Sequence, residues 1–178
     1  MQVLEGVELS VLLSGCTSNR AFTMGYYLEA FICKIQDASL LADQFNNAVA
    51  VELTDELSLI PMTEALFDEV NELSSSPSIE NFQFMTEKVE QKVLDAIGYS
   101  KFAYVEAEYF GGEGRQMAVT WNNNGRTQLL SFGDGRINAV LKEFGVVAQN
   151  GYDEFSIAGL LRHRQTKDWL ESDNDNSC

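Results

Sequence analysis

Along residues 24–170 the apolar positions alternate between a period near two and a period near 3.6, and each change marks a predicted element. The run Tyr26-Tyr27-Leu28-Glu29-Ala30-Phe31-Ile32 is rich in aromatic and branched residues and predicts a strand. Asp37 then reads as the N-cap of a short helix carrying Leu40, Leu41 and Phe45. Residues 48–53 read as a second strand, and Leu57–Pro61 as an extended segment, because the residue before a proline is steered away from helix. Thr63 reads as the N-cap of a helix that places Leu66, Phe67, Val70 and Leu73 on one face. After a serine-rich loop at 74–78, Thr86 opens a helix with Val89, Val93, Leu94 and Ile97 inward and Gly98 as its stop.

The clearest strand pair follows. Residues 102–110 and 116–121 are β-rich runs joined by Gly111-Gly112-Glu113-Gly114, a connection suited to positive φ. The turn Asn122-Asn123-Asn124-Gly125 leads to a third strand at 127–132, which makes residues 102–132 an antiparallel meander. Ile137, Val140, Leu141 and Phe144 mark another helix ending at Gly145, and Val146-Val147 reads as a short strand. Short helical pieces follow, with Thr166 capping a last turn through Trp169 and Leu170. Strands and helices mix without βαβ alternation, so the predicted class is α+β, an antiparallel sheet with helices packed on one face.

Length and composition favour one domain: 178 residues, 45% hydrophobic, suffice for a single core. Its expected span is 24–172, with residues 1–23 an appendage and 173–178 a disordered tail. Leu13-Ser14-Gly15-Cys16 has the look of a lipid-attachment box, but Glu5 and Glu8 precede it and no Lys or Arg does, which is unlike a secretory leader. Cys16, Cys33 and Cys178 are odd in number and widely spaced, so neither a disulfide framework nor a zinc site is expected. Cys33 reads as a small packed hydrophobe.

Charge narrows the partners. Twelve basic against 27 acidic side chains give a net charge of −15, which repels phosphate backbones and anionic lipid surfaces and attracts a basic protein. The expected partner is therefore a basic protein, with no nucleic acid and no membrane, and the expected compartment is the cytoplasm. No apolar run approaches the ~20 residues of a membrane-spanning helix.

Candidate chemistry is sparse. Glu106 and Glu108, two apart on a predicted strand, share a face at about 7 Å separation, and Tyr104 joins them. Such a pair suits acid–base work or a hard metal, but a partner-facing acidic and aromatic patch is the favoured reading. Glu113 adds a carboxylate at the hairpin tip, and Arg162-His163-Arg164 is a compact basic cluster holding the lone histidine. Gly111-Gly112-Glu113-Gly114 lacks the Lys-Ser/Thr of a phosphate-binding loop. No catalytic residue, metal ligand or cofactor is assigned.

The stretch 103–116 (Ala103-Tyr104-Val105-Glu106-Ala107-Glu108-Tyr109-Phe110 and the glycine turn through Gln116), the opening Met24-Gly25-Tyr26-Tyr27-Leu28 and the late Arg162-His163-Arg164-Gln165-Thr166-Lys167-Asp168-Trp169 together resemble small bacterial immunity proteins of toxin-based competition systems. The resemblance spans residues 24–170 and implies a protein that binds and blocks a cognate toxin. It carries over no catalytic residue. On this reading Tyr104, Glu106, Glu108, Glu113, Arg162, His163 and Arg164 are the candidate partner-binding residues. The alternatives are a small hydrolase-like enzyme using Glu106, Glu108 or His163, and a structural homodimer pairing through a strand edge or the Trp169 segment.

Overall fold

A computed structural model describes residues 25–171. The predicted appendage, the lipid-box-like Leu13–Cys16, the tail and Cys16 and Cys178 lie outside those residues. Six strands form one antiparallel sheet: β1 (Gly25–Lys34), β2 (Val51–Glu52), β3 (Leu57–Pro61), β4 (Phe102–Phe110), β5 (Glu113–Asn122) and β6 (Gly125–Gly133). Their spatial order is β2-β3-β1-β4-β5-β6. The predicted meander is the β4-β5-β6 half of this sheet. The other half folds back so that β1, first in sequence, sits centrally between β3 and β4.

Helices α1 (Ile35–Gln44), α2 (Glu64–Val70) and α3 (Glu87–Ile97) cover one face, and α4 (Arg136–Glu143), α5 (Glu154–Ile157) and a 3-10 helix (Thr166–Leu170) cover the other. The α+β class holds, and the predicted helical layer is one of two. Burial on both faces explains the unbroken apolar stretches Ala30–Cys33 and Phe102–Val105 of the central strands. In β1, Phe31 and Cys33 face α1–α3 while Leu28, Ala30 and Ile32 face α4. In β4, Phe102 and Tyr104 take the first face and Ala103, Val105 and Ala107 the second. Cys33 packs in the core as predicted, and burial, with Asp37 adding to it, pushes its thiol up to about 12.

Local signals account for most element ends. The Thr63 and Thr86 hydroxyls accept from the backbone N–H groups of Leu66 and Val89, each at 3.2 Å, as N-caps. The Gly111-Gly112 and Asn123-Asn124 turns both take positive φ, the latter as the hairpin between β5 and β6 requires. Gly98 stops α3 in a right-handed conformation, and what demands glycine there is space: a Cβ would lie 1.9 Å from Asn124 Oδ1.

Five local expectations are corrected. Lys34, not Asp37, occupies the N-cap position of α1; Asp37 lies in its first turn and accepts from the Ser100 hydroxyl at 2.6 Å. Only Val51–Glu52 of residues 48–53 is strand. Leu73 leaves the apolar face because α2 ends at Val70 and Glu72 and Leu73 turn to positive φ, so Leu73 is exposed. Val146-Val147 forms no strand, since Val146 N–H closes the end of α4 on the Leu141 carbonyl. Thr166 is the first residue of the 3-10 helix rather than its cap, and its hydroxyl is used on Glu29.

The sheet edges are closed in different ways. β2 is only two residues long, and the Arg162 guanidinium donates to its Glu52 carbonyl at 2.7 Å. β6 carries two register shifts against β5, and Arg136 Nε donates to the Ser131 carbonyl at 3.0 Å. Bulges and cations of this kind discourage edge-to-edge pairing.

Trp121 joins the hairpin to α3. It stacks on Phe102 with ring centroids 4.8 Å apart and donates its indole N–H to Glu90 at 2.6 Å, while Arg126 binds the same carboxylate. Trp121→Phe keeps a ring beside Phe102, removes one charge-assisted bond and leaves a cavity where the fully buried indole was, with Glu90 still paired with Arg126. Urea denaturation of this variant is expected to show a loss above about 1.5 kcal/mol, the cavity adding to the lost bond. A loss near zero would mean that the indole bond contributes nothing to holding α3 on the sheet.

Candidate functional site

The β1–β4 register places Tyr27 opposite Glu108, Glu29 opposite Glu106 and Phe31 opposite Tyr104. On the next strand, Arg115 stands opposite Glu108 and Met117 opposite Glu106. These side chains share the α1–α3 face. Near the α3 end that face is sealed by core, and towards the Gly111-Gly112 turn it opens into a recess of about 100 Å³ lined by Tyr27, Glu29, Glu106, Glu108, Arg115 and Phe132. Asn81 and Gln83, from the loop between α2 and α3, complete the wall. Three carboxylates thus meet a single guanidinium.

The carboxylates differ in how they are held. Glu106 is largely buried and accepts the backbone N–H of Gln83 at 2.9 Å, the backbone N–H of Phe84 at 2.9 Å and the Tyr104 hydroxyl at 3.0 Å. It staples the 79–85 loop to the sheet. Desolvation by burial raises its pKa against the pull of those donors. Glu29 accepts from the Thr166 hydroxyl, and Thr166 Oγ1 in turn accepts the Glu29 backbone N–H at 3.0 Å. Burial raises the Glu29 pKa first, with Glu106 and Glu108 adding like-charge repulsion. Glu108 is half exposed and meets Arg115 at a loose 3.5 Å, while the Arg115 guanidinium lies 4.2 Å over the Phe132 ring.

Tyr104 shares the face of Glu106, as its spacing predicts, but it is fully buried between Phe31 and Phe82 and supports Glu106 from the core. Burial, then Glu106 and Glu29, raises its pKa well above 10.0. Glu113 sits exposed at the hairpin tip opposite Phe110, outside the recess lining. Arg162, His163 and Arg164 lie at the other side of β1. The Arg164 carbonyl accepts the Tyr27 N–H at 2.8 Å, continuing the sheet edge where β3 stops. Arg162 lies 5.0 Å over Trp169, and His163 meets the same ring edge-on at 4.8 Å. These contacts fix the C-terminal segment and, through it, Thr166. The structure therefore gathers Tyr104, Glu106 and Glu108 at one place and leaves Glu113 and the basic cluster apart.

Sequence reasoning missed Glu29, Arg115 and Thr166. Glu29 interrupts an apolar strand on the Tyr27 and Phe31 side, a signal present in the sequence, but only the register shows that it faces Glu106. Among the described residues no group of three or more His, Cys, Asp or Glu is placed to hold a metal ion, and no helix is long and apolar enough to cross a membrane. No protein-family model, curated protein or solved structure matches the chain.

A carboxyl group with a raised folded pKa binds its proton more tightly in the folded chain than in the unfolded one. Glu29 and Glu106 thus favour folding below their ordinary value of 4.5, and that contribution is lost as pH rises through the raised folded values. Carbon-13 titration of the two side-chain carboxyl groups is expected to give midpoints above 4.5, and Glu29→Gln to flatten the fall of stability with rising pH over that window. Midpoints below 4.5 would mean that the hydrogen bonds outweigh burial.

Proposed function

We propose that this chain is a non-enzymatic acidic binding module whose recess receives a cationic side chain of a basic protein partner, as an immunity-type protein does when it occupies a toxin's basic site. The observation that carries this reading is the recess itself: Glu29, Glu106 and Glu108 against Arg115 alone, in a concavity of about 100 Å³. That volume is well short of the ~300–1,000 Å³ of small-molecule sites. It suits one guanidinium or ammonium head. Tyr27 supplies an aromatic wall against which a guanidinium can stack, while Phe132 already carries Arg115. The net charge of −15 speeds the encounter with a basic protein.

The raised pKa values of Glu29 and Glu106 favour a second reading, acid–base chemistry on a small cationic or neutral substrate. Its weakness is that the Glu106 oxygens are committed to three internal donors and Glu29 is tied to Thr166. Carboxylates so engaged serve as fixed negative charge better than as proton shuttles. Glu108 alone is free enough to exchange Arg115 for an incoming cation.

Titrating the nitrogen-15-labelled protein with an acetylated, amidated tri-arginine peptide is expected to shift the amides of Tyr27, Glu29, Glu106, Glu108 and Phe132, and to do so less at 0.5 M than at 0.05 M NaCl. Glu108→Arg is expected to weaken binding roughly tenfold, about 1.4 kcal/mol. Shifts absent from these residues, or insensitive to salt, would end the reading. Proton exchange or hydrolysis catalysed by the wild type and lost in Glu106→Gln would favour the enzyme instead.

A further inference from the structure

On the face opposite the recess, a second concavity of about 350 Å³ opens between the β2–β3 connection and the chain that leaves α4. Its apolar surface comes from Leu57, Phe144, Val146, Val147 and Ile157. Leu57 is core, Phe144 and Val146 pack against the α4 side of the sheet, and Val147 is left 69% exposed. Asp55 and Glu56 stand exposed on its rim. No Lys, Arg or His lines it. Lys101 lies 4.9 Å over the Phe144 ring but is paired with Glu143, so an apolar floor with acidic residues on one side is complementary to an apolar side chain followed by a positive charge.

Both walls are hydrogen-bonded within themselves. The Thr54 hydroxyl accepts the backbone N–H groups of Glu56 and Leu57 at 3.3 and 3.1 Å, and the Leu57 carbonyl accepts those of Leu53 and Thr54. The Glu56 carbonyl in turn takes the Ile35 N–H. Opposite, Gly145 at φ +90° ends α4 with Val146 N–H on the Leu141 carbonyl, and Gln149 and Tyr152 exchange two backbone bonds around a tight turn. These bonds hold each wall together, and the side chains of Asp55, Glu56, Phe144, Val146 and Ile157 supply the recognition. Walls held in this way lower the ordering cost of binding.

We infer that this groove docks a short segment of a partner protein carrying one aliphatic side chain next to Lys or Arg, the aliphatic group entering against Phe144, Val146 and Ile157 and the cation reaching Asp55 and Glu56. Its size, at the low end of ligand pockets, admits one such side chain with the adjoining backbone. The groove shares no residue with the recess, so either contact stands without the other.

The probe is an acetylated, amidated leucyl-arginyl-lysine peptide titrated into the nitrogen-15-labelled full chain, with leucyl-glutamyl-glutamate and glycyl-arginyl-lysine peptides as controls. Shifts are expected at Asp55, Glu56, Val146, Val147 and Ile157, absent with the acidic peptide and at least about fivefold weaker with the glycyl peptide. Asp55→Lys with Glu56→Lys, both at exposed positions, is expected to weaken the leucyl peptide about fivefold or more, while Glu108→Arg leaves the groove shifts unchanged. An unchanged thermal transition would show that the doubly substituted chain is folded, and exposed Val147→Ser gives a second variant expected to weaken binding. Groove shifts that are absent, that persist with the acidic peptide, or that survive both sets of substitutions would overturn the inference. Shifts confined to Glu29, Glu106 and Glu108 would overturn it while supporting the recess.

Discussion

The pairing of β1 with β4 sets everything else in position. Gly25 to Cys33 run antiparallel to Phe110 to Phe102 without a register shift, and both strands are covered on both faces. A slip of β1 by one residue would exchange its side chains between faces, sending Phe31 and Cys33 towards α4 and Leu28 and Ile32 towards α3 while β4 kept its own. Because each set is matched to its own helical layer, that slip would empty and overfill both cores together. The same register brings Glu29 against Glu106, so the recess is a consequence of the pairing that makes the fold.

That consequence carries a cost. Like charges directly opposite on neighbouring strands destabilise a sheet, and partial burial of carboxylates adds desolvation. The molecule offsets the cost with donors aimed at the charges: two backbone N–H groups and a buried phenol on Glu106, and a threonine hydroxyl on Glu29. Glu72, by contrast, is exposed and paired with Lys88 and Lys92, which hold its pKa down to about 2. In the recess, burial raises the pKa of Glu29 and Glu106.

Local chemistry was well written in the sequence. Thr63 and Thr86 announce their helices, the glycine and asparagine turns announce β4, β5 and β6, and the two-residue spacing puts Tyr104, Glu106 and Glu108 on one face. What depends on contacts distant in sequence was not. The second helical layer had a sign in the continuous apolar runs Ala30–Cys33 and Phe102–Val105, since a strand with one wet face alternates and these stretches do not. The place of Glu29 needed the β1–β4 register, and the role of the basic cluster needed the C-terminal segment to return to β1. Nothing in the Arg162-His163-Arg164 run shows that the Arg164 carbonyl extends a sheet edge, because three polar side chains in a row have no period.

That returning segment ties the recess to the far end of the chain. Arg164 holds Tyr27 through its carbonyl, Thr166 holds Glu29 through its hydroxyl, and both are kept in place by Trp169, which is buried against the α4 side and flanked by Arg162 and His163. Two residues of the recess, Tyr27 and Glu29, are thereby positioned by a segment more than 130 residues away in sequence. The tryptophan and the recess lie on opposite faces of the sheet, so the edge of β1 is what connects them. Anything that loosens the 3-10 helix would free the Glu29 side chain while leaving Glu106 stapled to the 79–85 loop. The two buried carboxylates have separate supports, and the distance between their charges is set by how firmly the C-terminal segment closes the edge.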